Sequence, residues 1–188
     1  MKYLIIIVLS MTVVMNNHAH DPHEAFFRIS QTKDTVKIKA QFPWTLRNAL
    51  IKFSPTLVDA KSSQDFERAF VEYVKKNIIM VDTLGAAMPF AYFEAFDNNG
   101  HSHESNYLLV FLGNGIGKIT NSMMFDNSDK QTNYHYLRTE NKDIEFQTSP
   151  KRPTFSPREV SNDSFPYWYL CLFIPFGLYY FIRLKNRR

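Results

Sequence analysis

Residues 165–182 form a run of 18 uncharged positions, followed at once by four cations in the last six, Arg183, Lys185, Arg187 and Arg188. A helix through that run is about 27 Å long, just enough for a hydrocarbon core of ~30 Å. Tyr167, Trp168 and Tyr169 at one end and Tyr179 and Tyr180 at the other stand where aromatic belts meet the two interfaces, and the cations mark the cytoplasmic side. The competing reading is a buried structural helix, with Pro175 and Gly177 as kinks. A basic tail directly after an uncharged run favours the span. The expectation is a transmembrane helix at 165–182 and a basic cytoplasmic tail at 183–188. Cys171, the single cysteine, falls inside the span, so neither an internal disulfide nor a cysteine zinc site is available.

The opposite end repeats the theme. Residues 1–19 carry Lys2, an apolar run over 3–15 and then Ala19, the layout of a secretory signal peptide. Thirteen apolar residues reach only about 20 Å as a helix, too short to span, so cleavage is expected rather than anchoring. Cutting after Ala19 places Asn17 at the −3 position; cutting after Asn17 would expose His18 instead.

These two ends also explain the charge. The chain has 22 Lys plus Arg against 18 Asp plus Glu, a formal +4, yet five of the cations lie in the two extreme segments. Residues 3–182 hold 17 cations and 18 anions, a formal charge of −1. The basicity therefore reports membrane topology, and neither a nucleic-acid nor a nucleotide partner is expected. The partners expected are the membrane, through the C-terminal helix, and an envelope protein.

Residues 20–150 read as one extracytoplasmic domain, joined to the span by a Pro-, Ser- and charge-rich linker at 151–164. A hydrophobic fraction of 45% excludes a disordered chain. Alternation at 27–29 and 35–40 predicts an antiparallel hairpin. Leu46, Ala49, Leu50 and Phe53 then fall at helical spacing, with Thr45 placed to cap and Pro55 to stop. Phe66, Ala69, Phe70, Tyr73 and Val74 mark a second helix, and Ser62 with Asp65 forms an acidic variant of the capping box. Strands follow at 78–81, 90–96, 107–112, 134–137 and 144–146, with Gly85, Asn98-Asn99-Gly100 and residues 113–117 as turns. Strict alternation puts Phe90, Tyr92, Glu94 and Phe96 on one face. The expected fold class is α+β: a mostly antiparallel sheet, sandwich or not, with two helices inserted after the second strand.

Histidine is the unevenly placed residue type. His18, His20 and His23 cluster near the mature N-terminus, His101 and His103 follow the Asn-Asn-Gly turn, and His135 sits in a strand. His-x-His puts two imidazoles on one side of an extended chain, a pair suited to copper or zinc, with His135 or His20 as the third ligand and Glu104 adjacent. The alternative reading makes Gly-His-Ser-His-Glu a polar turn. Gln131 and Asn133 either line a binding site or satisfy backbone groups at a strand start. Trp44 is either an exposed anchor for a partner or core. Met123 and Met124 are either soft copper ligands or core filler. Residues 113–120 imitate a phosphate loop, but the glycines are one residue too close and Ile119 follows Lys118 where a hydroxyl is required. No G-x-S-x-G elbow, H-E-x-x-H motif or exposed cysteine nucleophile occurs, and the reading leans away from an enzyme.

If cleavage exposes His20, its free amine and imidazole resemble the histidine brace of the copper resistance protein C family of extracytoplasmic copper carriers; the resemblance covers only His18-Ala19-His20. The order of Phe42-Pro43-Trp44-Thr45-Leu46-Arg47-Asn48-Ala49-Leu50, Gly100-His101-Ser102-His103 and Gln131-Thr132-Asn133-Tyr134-His135 resembles an uncharacterised family of short secreted or membrane-anchored bacterial envelope proteins with a domain of unknown function. That resemblance spans residues 20–150 and implies an envelope location without an assigned activity. It carries over no catalytic residue.

Overall fold

Alternating apolar and polar residues build the first hairpin. β1 (Glu24–Gln31) and β2 (Thr35–Phe42) pair antiparallel, Phe27 opposite Ala40 and Ile29 opposite Ile38. Every second side chain, from Ala25 to Ile29 and from Val36 to Phe42, is buried. The computed structural model describes residues 21–96, 104–139 and 143–157. The signal segment with His20, the turn carrying His101 and His103, the second half of the linker and the 165–182 span lie outside the described residues. Among the described residues, no helix is long and apolar enough to cross a membrane.

Two helices follow the second strand, as expected. In α1 (Leu46–Phe53) the buried face is Leu46, Ala49 and Leu50. Thr45 precedes it but does not cap with its side chain; Oγ1 instead donates to the Pro22 carbonyl at 2.8 Å and ties the helix start to the lead into β1. A 3₁₀ turn (Pro55–Val58) leads to α2 (Ser63–Asn77). Ser62 Oγ accepts from the Gln64 N–H at 3.1 Å, so the expected cap forms one residue short of Asp65. Ala69, Phe70, Tyr73 and Val74 form its buried stripe.

The remaining strands are β3 (Ile78–Asp82), β4 (Phe90–Ala95), β5 (Ser105–Leu112), β6 (Ile116–Asn121), β7 (Thr132–Arg138), β8 (Asp143–Thr148) and β9 (Thr154–Phe155). They form a six-stranded sheet in the order β4-β5-β2-β1-β7-β8 and a three-stranded sheet in the order β3-β6-β9. The class is α+β. The small sheet is antiparallel, and so is the large one except where β1 runs parallel to β7, with Phe27 opposite His135. A parallel pair needs a long crossover, and here everything between the two strands supplies it. Helices and small sheet pack on the same face of the large sheet: Phe70 of α2 meets Phe42 edge-on at 6.1 Å, and Phe155 of β9 stacks on Phe146 of β8.

Three features depart from the sequence expectation. First, β6 appears where only a turn was anticipated. Its buried isoleucines, Ile116 and Ile119, are three apart because pairing with β3 shifts register at Asp82, and a Cβ on Gly117 would stand 2.2 Å from the Asp82 carbonyl oxygen. Second, β9 lies in the segment read as linker, and Phe155 is buried. Third, a bulge between Phe90 and Tyr92 breaks the alternation of β4. Phe93 therefore joins Phe90 on the core side, where it packs on Phe70, while Tyr92 and Glu94 face outward on an edge strand.

Candidate functional site

The predicted site residues separate into a buried group and an exposed group. His135 is 3% exposed and its ring lies between Phe27 and Phe146, stacked on both, at 5.0 and 4.4 Å. Asn121 Oδ1 accepts from the Met123 N–H and from Asn133 Nδ2, so its amide nitrogen is the group that faces His135 Nε2, at 2.9 Å. Nε2 thus accepts and the ring proton sits on Nδ1, which lacks a well-formed hydrogen bond. Burial pushes the His135 pKa down to about 3, and the Asn133 and Phe146 backbone opposes this only in part. The imidazole is neutral at physiological pH.

Gln131 and Asn133 belong to the same interior network. Gln131 Nε2 donates to Asn133 Oδ1 at 3.0 Å, and Asn133 Nδ2 donates to the Met123 carbonyl at 3.1 Å. Thr148 Oγ1 donates to the Asn121 carbonyl at 2.9 Å. These bonds join β6 of the small sheet to β7 and β8 of the large one, and the side chains satisfy backbone groups rather than line an opening. Gln131 Oε1, also buried, is without a partner. Met123 and Met124 are fully buried beside the network, which is core packing. Met124 adopts a φ of 64° and its N–H donates to Tyr73 Oη at 2.9 Å, while that hydroxyl donates to Asp126 Oδ1 at 2.7 Å. Burial first, and Asp126 second, push the Tyr73 phenol upward.

Trp44, 60% exposed at the corner between β2 and α1, and Glu104, half-buried at the lead into β5, make up the exposed group. Gln41 Nε2 donates to Glu104 Oε2. Among the described residues no group of three or more His, Cys, Asp or Glu gathers as a metal site.

Two surface features emerge that sequence reasoning did not single out. One is a groove of about 380 Å³ between the helices and β4, with Leu46, Leu50, Phe70, Phe93 and Tyr107 as apolar walls and Arg47 and Glu67 at the rim. Arg47 is fixed over the Phe66 ring at 5.2 Å. Burial raises the Tyr107 phenol, with Ser105 opposing and Glu67 adding to the rise.

The other is the outer face of the six-stranded sheet. Register places Arg28 beside Lys39 and Lys37 beside Ser30 across β1 and β2, and all three cations are exposed. None of their side chains makes an ion pair or hydrogen bond with another described residue. Phe26 stacks on Tyr134 of the neighbouring strand at 5.3 Å, and the Tyr134 hydroxyl donates to Glu24 Oε1 at 3.1 Å. Burial, then Glu24, raises that phenol. Alternation did signal that one face of these strands is polar; it could not signal which strands lie side by side. The chain matches no protein-family model and no curated protein sequence.

Proposed function

We propose that this chain is a single-pass membrane protein whose α+β domain lies outside the cytoplasm and acts by binding. The observation that supports binding is the outer face of the large sheet: cations without a described partner on the two central strands and, beside them, a stacked aromatic pair whose Phe26 is exposed. The anchor is the 165–182 helix with its basic tail, and export is by residues 1–19.

The copper or zinc alternative rests on His101, His103 and His20, which lie outside the described residues, and on His135. With Nε2 engaged by Asn121 and the ring enclosed by two phenylalanines, His135 gives that alternative no support.

Protease accessibility in bacterial spheroplasts tests the topology. Expressed with a C-terminal epitope, the chain should remain with the membrane fraction. External protease should remove the domain and leave a short tagged fragment protected. A chain released by alkaline carbonate, or a domain protected until the cells are lysed, would overturn the proposal.

A further inference from the structure

The outer face of the large sheet carries more than a general capacity to bind. Arg28, Lys37 and Lys39 are nearest neighbours on β1 and β2, the two central strands. Adjacent strands are about 5 Å apart and alternate residues about 7 Å apart, so the three charges form a compact strip along the strand direction. No described acid neutralises them. Arg138, farther out on β7, is instead spent on Asp143 at 3.7 Å.

Carboxylates stand at both sides of the strip. Lys39 and Arg28 share a row with Glu94 on β4 and Glu145 on β8, the two edge strands. A broad anionic surface laid flat on the sheet would meet those acids, whereas a narrow chain following β1 and β2 would lie along the cations and reach carboxylates only at its aromatic end, where Glu24 holds the Tyr134 hydroxyl and Glu104 is bonded to Gln41. Along the same line, next to Arg28, lies the stacked Phe26 and Tyr134 pair, with Phe26 38% exposed. An aromatic face flanked by cations suits a ring with an apolar C–H face and a charged substituent. Residues 3–182 carry a formal −1, so the domain has no long-range field for a polyanion and the contact must be made locally, by the strip itself.

We propose that this strip binds an acidic polysaccharide, one carboxylate-bearing sugar at a time, with Arg28, Lys37 and Lys39 on the carboxylates and Phe26 and Tyr134 under the sugar rings. This rests on the extracytoplasmic placement proposed above, where envelope glycans are the available polymers.

The test uses the purified full chain in mild detergent, with polygalacturonate as the acidic glycan, dextran as the neutral one, and oligothymidylate and phosphatidylglycerol vesicles as competing polyanions. Polygalacturonate should bind, dextran should not, and affinity should fall steeply as salt rises. The Arg28→Gln, Lys39→Gln double variant should lose about tenfold or more in affinity with an unchanged melting temperature, since both side chains are exposed and unpaired. Phe26→Ser should weaken binding several-fold. Lys61→Gln with Arg68→Gln, which removes two exposed cations at and before α2, on the opposite side of the sheet, should change nothing. Equal loss in that control pair, no binding of polygalacturonate, or tighter binding of oligothymidylate or vesicles would overturn the proposal. These measurements do not depend on topology, so a failure here leaves the spheroplast result standing. A domain found inside the cytoplasm would remove both proposals.

Discussion

His135 shows how a residue type associated with function can be put to structural use. Its folded pKa of about 3 lies below the unfolded value near 6.5, so the unfolded chain takes up the proton first. The stability that neutral His135 contributes is complete above pH 6.5 and is lost as pH falls toward 3. Between those limits the loss should approach about 1.4 kcal/mol per pH unit. Urea midpoints measured from pH 7 to pH 4 should drop accordingly, and His135→Phe should flatten that part of the slope. A slope unchanged by the substitution would assign the acid sensitivity to other groups. A strand-borne histidine looks the same in sequence whether it faces water or two phenylalanines, so its role could not be read there. Gln131 and Asn133 are similar: polar side chains suggest surface until a partner such as Asn121 is brought alongside.

Elements were legible in proportion to how regularly their residues repeat. The β1–β2 hairpin and both helices follow directly from period-two and helical spacing, and their buried faces are the expected ones. The irregular strands were not. A bulge resets the faces of β4, a register shift hides β6, and β9 consists of two residues among prolines. Brief as it is, β9 places Phe155 against Phe146, which in turn stacks on His135, so the second layer depends on it. Phe155→Ala should destabilise the domain by about 3 kcal/mol, read as a lowered urea midpoint by circular dichroism. Loss of well under about 1 kcal/mol would mean that 151–157 is tether after all. The outer-face strip was illegible for a different reason. Arg28, Lys37 and Lys39 are scattered in sequence, and only the pairing of β1 with β2 makes them neighbours.

At the scale of the whole molecule, the charge separates into a cationic excess at the two ends and a near-neutral middle. Within that middle, the sheet is joined by pairing of distant segments: β1 lies between β2 and β7, and Phe27 is aligned with His135. Contacts of such separation make folding slow, so refolding from urea should proceed in milliseconds to seconds, not microseconds. Stopped-flow fluorescence checks this. The same parallel pairing also imposes an order of events on a chain made from its N-terminus. Of the described strands β1 is the first to emerge, and one of its edges must stay without a partner until β7 has been synthesised. For most of its synthesis the nascent chain therefore carries an open strand edge with Phe27 and Ile29 on it, the kind of segment that export factors and holding chaperones keep from aggregating.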